Sequence, residues 1–299
     1  MQIWDDIKRS YQAGTITTRI IYVNVAVFVI AKLLSVFITV ASPEGGTGFI
    51  MNWLAIPSLI PELIVKPWTV LTYQFLHLDF LHLIFNVLWL YWFGRLFLNF
   101  FSSRQVLSLY IFGGLWGAIF YLLSYNFLPY FQNNGLNAQM LGASASILAI
   151  VVATATASPN QEIQLVLLGK IKMKYLAIAV VLIDLMSVTS GNAGGHIAHL
   201  GGAFAGYWFA TSYLKNNTDI SAWIGKIVDF FATYTFKRKP KMKARPSTNR
   251  GADKKKDMAY NKYKNERQAE IDKILEKIKV SGYNSLSKSE KEELFKASK

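Results

Sequence analysis

A chain of 299 residues with 52% hydrophobic residues and a mean hydropathy of +0.26 is too apolar to be one water-soluble domain. It has no cysteine, which excludes disulfides, thiol nucleophiles and cysteine-ligated zinc or iron–sulfur centres. The net charge of +14 is segregated: residues 105–161 carry no Lys or Arg and residues 237–256 carry ten, so a membrane domain with a basic soluble tail is expected.

The N-terminal MQIWDDIKRSYQAG lacks the apolar core and small-residue cleavage site of a signal peptide, so the first apolar run is expected to remain as a helix. Six apolar runs approach the length needed to cross the hydrocarbon core, near 19–41, 79–100, 105–127, 139–158, 174–190 and 195–214. The fifth is short and carries Asp184. Six crossings put both termini on one side. Lys8, Arg9, Arg19, Arg95, Arg104, Lys170, Lys172, Lys174 and the tail lie on that side, whereas the opposite loops carry Lys66 alone. Both termini are therefore expected in the cytoplasm, in a multi-pass protein of the cell (inner) membrane. The expected class is an all-α polytopic membrane protein: a six-transmembrane-helix bundle plus a short helical, partly disordered cytoplasmic tail. The first outer loop, 42–78, is rich in Trp, Pro and Leu and is expected to lie partly in the membrane interface.

All four histidines fall in two apolar stretches: His77 and His82 ahead of and within segment 2, His196 and His199 in segment 6. Ionisable groups in such segments are costly and mark function by default. Segments 2, 4 and 6 run inward from the outer face, and a helix rises about 1.5 Å per residue. Ser144 then lies roughly 7 Å deep, His199 roughly 6 Å, and His82 and Asn86 roughly 5 to 11 Å. A nucleophile, a base and hydrogen-bond donors share one depth. His82 and Asn86 are four residues apart and share a helix face. Gly142, Ala143, Ala145 and Ala149 flank Ser144, and Gly201, Gly202 and Gly206 follow His199. Such small residues let helices approach closely, as a Ser–His hydrogen bond requires.

Three motifs resemble those of the rhomboid family of intramembrane serine proteases: GASA at 142–145 its GxSG, AHLGG at 198–202 its AHxxG, and HLIFN at 82–86 its HxxxN. The resemblance covers about residues 15–215. It implies a rhomboid-like bundle with Ser144 as nucleophile and His199 as general base. It implies His82, Asn86 and the Ser144 backbone N–H as oxyanion stabilisers. The chain departs from the family pattern at Ala145, where glycine is usual, at Leu148, where some members carry Tyr, and after Gly94–Arg95, where no acid follows.

No carboxylate is near His199 in sequence, so a Ser–His dyad is expected rather than a triad. Ser146, about 200° around the helix from Ser144, is the competing nucleophile. Asp184 could be a third catalytic member, but its place in segment 5 puts it near mid-membrane, so a structural hydrogen bond to a neighbouring helix is expected instead, with His77 and His196 as bystanders near the cavity mouth. The expected activity is a serine endopeptidase that cleaves single-pass transmembrane proteins near the outer face of the membrane. No metal and no cofactor is expected. The rival readings are a catalytically inactive binder of transmembrane clients and a multi-histidine metal-binding membrane protein.

Residues 1–18 read as a cytoplasmic segment, 19–215 as the membrane domain, 216–236 as an interfacial amphipathic helix and 237–261 as a basic linker. The linker is expected to bind the anionic lipids of the bilayer's inner leaflet, and no nucleic acid. Residues 262–299 read as a small helical module. In it Ile271, Ile274, Leu275 and Ile278 share one face, and Ser287 to Glu290 form a capping box. Substrate identity, oligomeric state and the module's role are not legible in the residues.

Overall fold

The computed structural model describes residues 2–42, 45–134, 137–165, 169–235, 270–279, 282 and 285–297. The chain divides into two units, Met1–Lys237 and Arg238–Lys299.

In the first unit α1 (Gln2–Ala13) is amphipathic and ends at Gly14. Thr15 then caps α2 (Ile16–Ala41) by accepting the Thr18 N–H. One face of α2 meets no protein: Leu33, Phe37 and Val40 are 66%, 72% and 82% exposed. An apolar helix whose outer face meets no protein is stable only if lipid covers it. Among the described residues three helices are long and apolar enough to cross a membrane: α2, α6 (Phe80–Phe97) and α7 (Ser103–Phe127). Asp79 caps α6 through the His82 N–H, and Ser102 caps α7 in a reciprocal box with Gln105.

The other apolar runs also hold helices, α9 (Ser144–Ala157), α10 (Met173–Met186) and α11 (Ala193–Asn216). With 14 residues each, α9 and α10 reach only about 21 Å, short of the roughly 30 Å core. Helix α9 is the centre of the bundle, buried at every residue from Ala145 to Ala155. A helix so enclosed must have neighbours that come close, and glycine provides the approach. A Cβ on Gly202 of α11 would lie 2.1 Å from the Ala145 carbonyl oxygen, and one on Gly206 would lie 2.2 Å from that of Ala149. On α7 a Cβ on Gly113 would lie 2.4 Å from the Ala149 Cβ. The small residues thus act as the spacing predicts.

The 42–78 loop is folded rather than merely interfacial. It holds α3 (Gly46–Leu54), β1 (Ile56–Pro57), α4 (Ile60–Val65), α5 (Thr69–Thr72) and a 3-10 turn, Tyr73–Phe75. Trp53 and Trp68 stack with centroids 5.8 Å apart, and the Trp68 indole donates to the Trp53 carbonyl at 2.8 Å. After α7 and the short α8 (Pro129–Asn134), β2 (Gln139–Met140) pairs antiparallel with β1. A second hairpin, β3 (Glu162–Leu165) with β4 (Gly169–Lys172), joins α9 to α10. Neither pairing is expected from the apolar pattern. Each strand is short, and its partner is fixed by tertiary position rather than by alternation.

After α11, α12 covers Ala222–Thr235. Its Gly225 abuts Arg104 and Ser108 of α7, and Asp229 pairs with Arg104. In the second unit, residues 270–279 form α13 and Lys288–Ala297 form α14. The capping box forms: Ser287 N–H donates to Glu290 at 2.7 Å, and Glu290 N–H donates to Ser287 Oγ at 3.3 Å. Lys277 pairs with Glu290 at 2.8 Å and, with the Ser287 N–H, holds that carboxyl down at about 2. Ile274 is buried but Leu275 is exposed, so the apolar face is narrower than its spacing suggests. The basic linker, 237–261, lies outside the described residues.

Candidate active site

Ser144 is the first residue of α9, not a point several residues inside a helix starting at 139. The chain reaches it instead through β2 and residues 141–143, turning at Gly142, where φ is +120°, and at Ala143, already helical in conformation. Hydrogen bonds pin this segment on both sides of Leu141. Ser58 N–H donates to the Ala138 carbonyl at 2.9 Å, and Gly142 N–H donates to the Tyr73 carbonyl at 2.9 Å. The Tyr73 hydroxyl donates to the Gly114 carbonyl of α7 at 2.6 Å. The geometry matters because the first N–H groups of a helix have no intrahelical acceptor and lie at its positive end. No side chain caps α9. The Ser144 and Ala145 amides therefore stand beside the serine hydroxyl as donors for an anion.

His199, nearly two turns into α11, brings its Nε2 to 2.6 Å from Ser144 Oγ. The close backbone contact at Gly202 makes this approach possible. Ala145 fills the position where glycine is usual, and its methyl fits because Gly117 faces it: a Cβ there would lie 2.8 Å from the Ala145 Cβ. Ser146 is committed elsewhere. It is buried and donates to Gln74 Oε1 at 3.3 Å. Of the two candidate serines, only Ser144 meets a histidine.

His82 and Asn86 line the same cavity of about 580 Å³ as Ser144 and His199. Asn86 Nδ2 donates to the His82 carbonyl at 2.9 Å, leaving a second N–H on that amide. His82 lies against Gly142, whose φ of +120° already favours glycine. A Cβ there would meet His82 Cε1 at 2.7 Å. Gly142→Ala is therefore expected to displace the ring or the chain before Ser144 and to lower activity about 100-fold. Turnover of purified protein, with circular dichroism to verify folding, checks this.

His77 is no bystander at the mouth. It is fully buried in the loop ahead of α6, with its ring 5.1 Å from that of His82. Its Nδ1–H donates to the Phe75 carbonyl at 3.3 Å, and its Nε2 accepts the Ala143 N–H at 3.4 Å. It thus braces the turn one residue before Ser144. Burial, helped by His82 and opposed by the Phe75 carbonyl, pushes this imidazole down to about 4. The unfolded chain, titrating near 6.5, then binds more protons than the folded one between the two values. Stability rises with pH through that window and is lost as pH falls from 6.5 to 4, by about 3 kcal/mol for His77. Thermal unfolding at pH 7 and pH 4 checks the loss, and His77→Gln is expected to remove most of it.

Asp184 makes the expected hydrogen bonds to a neighbouring helix. Helix α10 ends at Met186, so Asp184 lies in its last turn. It is buried, and its Oδ1 accepts from both His196 Nδ1 and His199 Nδ1 at 2.8 Å. The expectation that no carboxylate meets His199 fails because the contact joins two helices across a 15-residue separation that spacing does not reveal. Among the described residues the one histidine-containing group spaced to hold a metal ion is Asp184, His196 and His199, with ligand atoms within 4.8 Å of one another. His77 and His82 are not in it, so the four histidines do not form one array.

A family model for the Rhomboid domain matches residues 65–216, and a family of unknown function matches 254–299. Among curated proteins, the mitochondrial RHOMBOID-like protein 12 of Arabidopsis thaliana is 30% identical over 144 residues, 45% of this chain and 43% of that protein. The mitochondrial Presenilin-associated rhomboid-like protein A of Danio rerio is 31% identical over 46% of this chain and 35% of its own. Rhomboid protease GlpG of Klebsiella pneumoniae is 26% identical over 40% and 45%. The chain spans less than half the length of each of these relatives.

Proposed function

Because the chain belongs to the rhomboid family, we propose that it is an intramembrane serine endopeptidase with Ser144 as nucleophile and His199 as general base. The observation that carries this reading is the 2.6 Å contact between Ser144 Oγ and His199 Nε2 in a cavity at the head of an uncapped helix. Ser144 attacks the scissile carbonyl as its proton passes to Nε2 of His199. The tetrahedral oxyanion forms beside the Ser144 amide, with His82 and Asn86 as further donors, each worth about 3 kcal/mol. His199 then protonates the leaving amine, and water, activated by the same imidazole, releases the acyl chain.

The proposed fold around this chemistry is six membrane crossings with both termini cytoplasmic. The site then opens toward the outer face of the cell membrane. The cavity is flanked by Phe85 and Trp89 of α6 and by Val180 and Ile183 of α10, which favours substrate access from the lipid between these two helices. A peptide bond reaches a serine only in an extended backbone, and transmembrane helices resist extension because their backbone is satisfied internally. The proposed substrates are therefore single-pass proteins with Gly, Pro or polar residues near the outer end of the helix.

A second reading, metal binding, is favoured by the Asp184, His196 and His199 cluster alone. One experiment separates the readings: the chain in liposomes with a labelled transmembrane substrate. Cleavage lost in Ser144→Ala and insensitive to chelator is expected. Cleavage that survives Ser144→Ala and is lost with chelator would establish the metal reading. Binding without cleavage by the unaltered chain would establish an inactive relative.

A further inference from the structure

A carboxylate within an apolar helix is costly, and Asp184 adds to that cost. It is 4% exposed, and its Oδ2 has no hydrogen-bond partner among the described atoms. Its other oxygen carries all of the compensation, accepting two imidazole N–H groups at 2.8 Å each. What those bonds do follows from the chemistry of the ring. In a neutral imidazole one nitrogen donates and the other accepts. With Nδ1–H of His199 given to Asp184, Nε2 holds the lone pair, and this is the nitrogen 2.6 Å from Ser144 Oγ. The opposite tautomer would present Nε2–H to the hydroxyl and could not take its proton. The carboxylate therefore selects the form of His199 that can act as a base. It also stands 2.8 Å from the positive charge that appears on the ring when the proton arrives.

We infer that Asp184 is a positioning residue for His199, making the relay Ser144–His199–Asp184 with its third member supplied by α10. This rests on the protease reading of the site. His196 completes the arrangement. Three residues before His199 on α11, it donates into the same oxygen and so fixes where Oδ1 lies. Helix α10 thereby does more than flank the cavity: the base is held in its working form only while the last turn of α10 stays against α11. A purely structural staple between the two helices is the competing account, and it predicts a different pattern of losses.

The test uses the full chain in liposomes with a transmembrane substrate, together with labelling of Ser144 by a fluorophosphonate, which needs the base but no bound helix. Asp184→Asn keeps the shape and removes the charge. It is expected to lower kcat about 100-fold or more, to leave KM within about twofold, and to slow labelling in proportion. Asp184→Glu keeps the charge on a longer arm and is expected to recover the rate to within about tenfold of the unaltered chain. It also decides the matter if the Asn variant fails to fold. A folded Asp184→Asn chain that cleaves and labels at the unaltered rate overturns the inference and leaves the protease reading standing. So does a loss confined to thermal stability or KM, and so does a folded Asp184→Glu chain as slow as Asp184→Asn. If the unaltered chain neither cleaves nor labels, both readings fall together.

Discussion

Ser144→Ala and His199→Ala are each expected to lower kcat/KM about 10⁴- to 10⁶-fold, and the double variant to lose little more than either alone. In the proposed mechanism the two groups make one proton-transfer unit across 2.6 Å, so the hydroxyl without its base, or the base without its hydroxyl, is of little use. Independent contributions would instead multiply. The proposed oxyanion donors are expected to behave differently, because each would stabilise the oxyanion separately. His82→Ala and Asn86→Ala are each expected to cost about 100-fold. Single-turnover rates in liposomes check both patterns. Equal activity of Ser144→Ala and Ser146→Ala would contradict the division of the two serines, since Ser146 is buried and bonded to Gln74.

Much of this site is legible in the chain, and for a physical reason. Ser144, His199, His82 and Asn86 lie in apolar stretches where polar groups are few, so each stands out. The small residues beside them announce close helix contacts without a structure. What spacing cannot show is a contact made between elements by residues that share no motif. Asp184 reaches His199 only because α10 ends at Met186 and brings its last turn to α11. A span drawn to residue 190 places the same carboxylate a turn deeper. His77 looks like an interfacial histidine, yet the folding of residues 46–75 buries it under Ala143. Reading 139–158 as one helix likewise hides the fact that Ser144 begins α9, which leaves its amide free of an intrahelical acceptor.

Ala145 and Leu148 are departures whose cost the packing sets. The Ala145 methyl meets Gly117, so it is absorbed without moving the serine. Leu148 is buried and lines the cavity that holds the Ser144–His199 pair. Neither removes a hydrogen bond from Ser144 or His199. The inactive-binder reading thus finds no missing catalytic group to rest on.

Gly202→Val is expected to disable the protein more broadly than any substitution of a reacting group. A Cβ on Gly202 would lie 2.1 Å from the Ala145 carbonyl oxygen, and the nearest atoms are backbone, which no rotamer change can move aside. Helices α9 and α11 must separate by more than 1 Å to reach ordinary contact. Overpacking of this kind costs about 1–3 kcal/mol and often more when two backbones collide. The separation falls directly on the chemistry, because Gly202 is one turn after His199 and Ala145 is next to Ser144. A displacement of about 1 Å at a reacting pair can cost 100-fold in rate. Gly202→Ala should therefore already lose about 100-fold in kcat with a lowered unfolding temperature, and Gly202→Val should fail to accumulate as folded protein. Gly48 and Gly191 provide the control, since a Cβ at either meets nothing within 4 Å. Gly48→Ala and Gly191→Ala are expected to leave both rate and unfolding temperature unchanged. Equal tolerance at all three positions would mean that α9 and α11 are not in backbone contact. The 2.6 Å hydrogen bond between Ser144 and His199 could not then form as described.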